Sequence, residues 1–201
     1  ANCTASAKIT ITYPQYTVNF DGAGSIAGLD YDLELSDGTT TKQEYAKTGP
    51  YNAALGVIPN GNGTAPGYTF KGLWTEEQPS TGDASYNSYE ADFAEPISTE
   101  KFNEYKDNGG TADGKFITYN EKLYYNAGTQ WNPSSKNITA DVTYYGWWLS
   151  KDINIKFYDI DGTYLGAKAV KYGQTNKDIE WPTPTESYVS GPYTYNDFTG
   201  T

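Results

Sequence analysis

Histidine is absent from this chain of 201 residues. With it goes the side chain most used for proton transfer near neutral pH and for holding divalent metals. Serine or cysteine triads that depend on histidine are therefore excluded. Carboxylates remain: Glu76, Glu77, Glu90, Asp92 and Glu95 fall in one acidic stretch, and two carboxyl groups at the right separation can hydrolyse glycosides. That separation belongs to the fold, and solvated loop charge is the plainer reading of such a stretch. Asp159-Ile160-Asp161-Gly162-Thr163 opens like a calcium loop but lacks the later acidic ligand, while Asp-Gly is also the expected turn of a hairpin. No metal and no cofactor is expected. Lysines beside Asn or Asp on adjacent strands could form an isopeptide crosslink, but no spacing identifies a pair.

Rings are the other chemical resource, with 20 Tyr, 5 Trp and 7 Phe. A flat apolar ring with a polar rim suits the face of a sugar. Most of these rings alternate with polar residues, which favours packing in a core. Trp131, between Thr129-Gln130 and Asn132-Pro133, and Trp181, beside Pro182, are expected to be exposed aromatics able to contact a ligand, with structural anchoring as the competing reading.

The hydrophobic fraction is 37%, mean hydropathy is −0.70 and aromatics make up 16%. The core is expected to be aromatic rather than aliphatic. A net charge of −11 repels nucleic-acid phosphate and anionic lipid, so neither is an expected partner. No run is long and apolar enough for a membrane-spanning helix, so direct membrane insertion is not expected. The Ala1-Asn2-Cys3 start lacks a charged-then-apolar signal segment, and the chain is read as mature and soluble. Cys3 is the single cysteine, which rules out an intrachain disulfide and leaves an intermolecular one open. Glycan acceptor sequences occur at Asn2, Asn62 and Asn137.

Strand periodicity recurs along the chain. Ile9, Ile11 and Tyr13 alternate with threonines before Pro14; Tyr16, Val18 and Phe20 run to Asp21-Gly22; Tyr31, Leu33 and Leu35 run to Ser36-Asp37-Gly38. Residues 59–67 hold three Gly, two Asn and two Pro, which predicts a loop. Tyr68, Phe70 and Leu73-Trp74 resume the strand pattern, and an insertion is placed at about residues 75–115. Within it, Ser98 or Thr99 as cap, Glu100 in the first turn and the Phe102–Tyr105 stripe predict a short helix near residues 98–107. Phe116 to Tyr125 and Ile138 to Trp148 supply further strands, the latter ending in Tyr144-Tyr145-Gly146-Trp147-Trp148. A new hairpin from Ile153 through Asp161-Gly162 to Tyr172 marks a boundary, so domains are expected at 1–150 and 151–201.

Three segments, Tyr16-Thr17-Val18-Asn19-Phe20-Asp21-Gly22, Ala65 to Trp74 with its Gly67-Tyr68-Thr69-Phe70-Lys71-Gly72-Leu73-Trp74 core, and Val142-Thr143-Tyr144-Tyr145-Gly146-Trp147, resemble in order the three hallmarks of the Listeria–Bacteroides repeat. A second partial copy resembles it from Ile153, through Phe157 to Gly162 and Val170 to Gly173, with Gly191 to Phe198 in the aromatic-strand position and no closing strand after it. The first copy departs from the family in its length, which the insertion accounts for. The resemblance implies β-grasp-like repeats, mainly β with mixed and antiparallel sheets, as found in bacterial surface proteins such as internalins, where the units act as spacers and contribute to cell contact. It carries no catalytic residues.

The expected function is that of a non-catalytic structural or adhesive module, extracellular and at the cell surface. Its partners would be neighbouring domains, a host or glycan receptor, or other copies of itself: Ile9, Ile11 and Tyr13 could serve as a donor strand completing the next unit in a head-to-tail fibre. A carbohydrate-binding module is the alternative, and a hydrolase ranks third.

Overall fold

The computed structural model describes residues 11–26, 28–79, 94–158 and 162–172. Cys3, Ile9 and Trp181, the Asp159–Asp161 part of the calcium-loop sequence, Glu90, Asp92, Asn2 and the second copy's 191–198 segment lie outside them. The chain is mainly β and divides into two compact units, Ala1–Ser150 and Lys151–Thr201.

The first unit is organised on a mixed sheet of β1 (Gln15–Asp21), β4 (Glu44–Pro50), β6 (Tyr68–Trp74) and β11 (Val142–Ser150), in the order β4-β1-β11-β6. β1 and β4 form an antiparallel pair from Gln15↔Pro50 to Asp21↔Glu44. β11 then enters between β1 and β6, parallel to β1 from Val18↔Val142 to Asp21↔Tyr145 and antiparallel to β6. Alternation explains the inward face: Val18 and Phe20 are buried, and Val142 and Tyr144 pack against the same cluster.

That face is closed by a second sheet, β3 (Thr41–Lys42), β2 (Asp32–Leu35) and β5 (Pro59–Thr64), in the order β3-β2-β5. Leu33, Leu55, Ile58, Trp131 and Ile138 complete the cluster around Val18, Phe20 and Leu73. β5 corrects the expectation of a loop over residues 59–67. Its turn-forming residues serve contacts instead. Pro59 begins the strand, where its missing N–H interrupts no ladder. A Cβ on Gly63 would lie 2.9 Å from the Trp148 ring and 3.2 Å from Leu33, so only glycine lets β5 approach. Asn60 and Asn62 donate to Glu34 on β2 at 3.0 and 3.3 Å, and those bonds hold the Glu34 carboxyl below the usual carboxylate range.

The segment between β6 and β11 carries a sheet of its own: β7 (Glu95–Ile97), β8 (Thr111–Asp113), β9 (Phe116–Tyr119) and β10 (Lys122–Asn126), in the order β7-β10-β9-β8. The strands from Phe116 to Asn126 thus belong with the insertion, which does not close at residue 115, because β9 and β10 pair with β8 and β7 rather than with the first sheet. Helix α1 (Thr99–Asp107) packs on β9 and β10, with Phe102 against Ile97 and Ile117. The Ser98 side chain accepts from the Lys101 N–H, and Asn108 ends the helix by donating to the Glu104 carbonyl.

Consecutive residues of β11 anchor different clusters. Trp148 packs with Tyr31 and Ala65, whereas Trp147 packs with Trp74 of β6 and with Phe116 and Tyr125 from the inserted sheet. Gly146 pairs with Leu73 and Trp148 with Phe70, so β6 holds one residue more than β11 across this interval. Gly72, at φ +102, takes up the excess. β11 begins at Val142 rather than at Ile138, whose backbone bonds with Asn52 and Ala53 instead.

In the second unit, β12 (Asp152–Tyr158) and β13 (Tyr164–Lys171) form an antiparallel hairpin from Asp152↔Lys171 to Tyr158↔Tyr164. Lys171 is ion-paired with Asp152 at 2.6 Å.

Gly146 is the tightest point of the first unit, since a Cβ there would lie 1.9 Å from the Gly22 carbonyl oxygen. Gly146→Ala is expected to cost on the order of 3 kcal/mol or more, as overpacking against backbone does. Gly38→Ala, at φ +70 with open space around it, is expected to cost about 1 kcal/mol. Urea denaturation of both variants checks the difference.

Candidate interaction surface

The described carboxylates of the acidic stretch have separate surroundings. Glu76 is ion-paired with Lys115 at 2.5 Å and Glu95 with Lys71 at 3.0 Å, each across neighbouring elements, while Glu77 faces solvent. The Glu76 carboxylate in turn raises the Lys115 pKa. Among the described residues no group of three His, Cys, Asp or Glu could hold a metal ion, and no helix is long and apolar enough to cross a membrane.

Trp131 is not an exposed aromatic. It is 6% exposed and packs edge-on against Phe20 at 4.9 Å, with Tyr144 at 5.1 Å. Its polar flanks misled the reading: the Trp131 backbone N–H bonds to the Leu73 carbonyl at 2.7 Å, and the indole N–H donates to the Pro59 carbonyl at 2.9 Å. Both polar groups are thereby satisfied inside the core, so the short loop dips inward at no polar cost.

Ile11 and Tyr13 are 69% and 64% exposed and lie outside any strand; β1 begins two residues later, at Gln15. Gln15 pairs with Pro50 at the end of the main sheet, and the next residue, Tyr51, is itself 65% exposed. The periodicity of the donor segment therefore finds no ladder over residues 11–14 within the unit.

A pair of rings that sequence reasoning missed lies in the hairpin of the second unit. Tyr158 and Tyr164 are both more than half exposed, cross-strand partners with ring centroids 5.5 Å apart. The signal was present in the sequence, because the two tyrosines flank the Asp161-Gly162 dipeptide from which a hairpin turn is expected, and a hairpin brings such residues together. Ile153, Leu165 and Tyr172 are also exposed in this unit.

Another ring group is self-contained. Tyr105 on α1 stacks on Tyr119 at 4.4 Å and tilts against Tyr124 at 5.0 Å, with the Lys101 ammonium 5.0 Å from its ring. These faces are occupied by one another. Of the glycan acceptor sequences, Asn62 is exposed on β5 and Asn137 is exposed and donates to the Asn52 side chain at 2.7 Å.

Comparison with protein families, with characterised proteins and with solved structures finds no match to this chain.

Two measurements check this surface. Trp131→Ala is expected to lower stability by about 3–5 kcal/mol, as large-to-small changes of core aromatics do, without changing any glycan binding the wild type shows. Buried Tyr31 and partly buried Tyr144 set a limit at high pH. Burial raises the pKa of Tyr144; burial, then the carboxylates of Asp21 and Glu44, raise that of Tyr31. Each folded value lies above the unfolded one, so the stabilisation is fully present below about pH 10 and is lost as pH rises through the folded values. Tyr144→Phe is expected to move the alkaline unfolding midpoint upward, read by far-ultraviolet circular dichroism.

Proposed function

We propose that the chain is a non-catalytic structural or adhesive module of a bacterial surface protein, working outside the cell as a link between neighbouring domains or copies. The observation that carries this reading is the topology of the main sheet. The three segments that resemble the Listeria–Bacteroides hallmarks, far apart in sequence, form three adjacent strands in the order β1-β11-β6, in a mixed sheet of the kind the β-grasp resemblance implies. Because β1 and β11 are parallel, the chain comes into this sheet at the Gln15 end and leaves it at the Ser150 end. A unit whose connections lie at opposite ends of its sheet suits a series of spacers.

Self-assembly by strand donation is the sharper form of the proposal. Exposed Ile11 and Tyr13 support it as apolar side chains ahead of β1, and β4 and β6 are the outer strands of the sheet. Light scattering and electron microscopy of the purified chain, with and without residues 1–13, test it. Filaments lost on truncation are expected; monomers in both preparations would remove strand donation and leave a spacer.

A carbohydrate-binding role is the second reading, favoured by the exposed Tyr158–Tyr164 pair rather than by Trp131. Glycan-array binding lost in Tyr158→Ala and Tyr164→Ala would promote it over the first. Glycoside turnover abolished by Glu76→Gln or Glu77→Gln would overturn both.

A further inference from the structure

We infer that the parallel β1–β11 pair is a mechanical clamp, and that the first unit is a load-bearing link whose resistance to extension is concentrated in that pair. The inference rests on the reading of the chain as a module in series and adds a physical task to it.

Tension applied along the chain reaches β1 at Gln15 and β11 at Ser150. In a parallel pair those two points lie at opposite ends, so the strands are drawn past each other and the bonds between them are loaded together. The clamp extends beyond its four paired positions, Val18↔Val142 through Asp21↔Tyr145. At one end the Asp141 carboxylate accepts the Thr17 backbone N–H at 2.7 Å. Midway, the Asn19 side chain reaches the Thr143 hydroxyl at 3.5 Å. At the other end the Trp148 indole donates to the Gly22 carbonyl at 2.6 Å. β1 and its continuation are thus tied to β11 from Thr17 to Gly22. β11 itself is gripped on its far side by β6 and fixed through Trp147 and Trp148 in two separate clusters, so it cannot slide without emptying both.

The hairpin of the second unit presents the opposite geometry. Its first and last paired residues, Asp152 and Lys171, face each other, and Tyr172 bonds back to Lys151. Tension across those two points opens the ladder one pair at a time. Forced unfolding is governed by the barrier along the pulling direction rather than by equilibrium stability, so the two geometries differ even at equal thermodynamic stability.

Single-molecule pulling on the full chain tests the clamp, with one handle on the thiol of Cys3. In the first geometry the second handle is on Lys151→Cys, which is exposed and follows β11; this shears β1 against β11. In the second it is on Tyr51→Cys, exposed beside Pro50, the partner of Gln15; this peels β1 from β4. At one loading rate the shearing geometry is expected to rupture at a force at least about twofold higher. Equal forces would overturn the inference, and would leave the module reading to be judged by assembly and glycan binding. Asp141→Ala is expected to lower the rupture force in the shearing geometry alone. A drop of the same proportion in both would show general destabilisation and remove Asp141 from the clamp.

Discussion

A buried indole must find a hydrogen-bond acceptor, and in this protein that requirement ties its layers together. Each tryptophan among the described residues ends on a backbone carbonyl: Trp74 on Lys71, Trp131 on Pro59, Trp147 on Glu76 and Trp148 on Gly22. The bonds run 2.6–2.9 Å, and three of the four join segments more than seventy residues apart in the chain. Burial of a ring supplies area, but area has no direction. The N–H supplies direction, because leaving it unpaired in a dry core costs about 1–3 kcal/mol. The carbonyls it selects then fix where β5, the segment after β6 and the end of β1 must run.

The consequences spread from β11. Trp147 and Trp148 are adjacent and serve different clusters, so one strand holds the β2–β5 side and the inserted sheet at once. Gln78, 2% exposed, closes the arrangement: its amide accepts from the Trp148 N–H and donates to the Trp148 carbonyl, both at 3.0 Å. A side chain thereby does what a neighbouring strand would do. Gly146 and Gly22 permit the close crossing beside it. No buried side-chain nitrogen or oxygen among the described residues lacks a hydrogen-bond partner, which lets Trp74, Trp131, Trp147 and Trp148 join a core in which, against the expectation of an aromatic one, aliphatic residues outnumber the rings.

What the sequence made legible follows the same division. Strands with two-residue alternation, such as Tyr16 to Phe20 and Ile153 to Phe157, lie where the pattern puts them, and α1 is marked by its Ser98 cap and its Phe102–Tyr105 stripe. Missing were the features set by partners remote in sequence. Residues 59–64 have turn composition, yet form a strand because Trp148 needs the space above Gly63 and Glu34 needs Asn60 and Asn62. Trp131 has polar neighbours, yet is buried because the carbonyls of Leu73 and Pro59 await it. Local composition reports what a segment can do alone, and these two segments take their structure from what they meet. Tyr158 and Tyr164 differ from both: they are close in sequence and paired across one hairpin, so their proximity is a local matter.

The position of β11 also constrains how the unit can form. The strand that completes the sheet is its last in sequence and lies inside it, between β1 and β6. Before it arrives, β1–β4 is a lone hairpin pair and β6 lacks its partner, and such fragments are marginal in water. More than one hundred residues separate Val18 from Val142, so the decisive contact closes a long loop, which makes folding slow relative to local structures. The inserted sheet lies within that loop and has its own cluster of Ile97, Phe102 and Ile117 under α1, so ordering it shortens the distance the chain must search. An open edge would be a hazard during that search. Net charge of −11 and the short outer strands β3 and β8, exposed throughout, oppose pairing between incomplete chains until the central strand is seated.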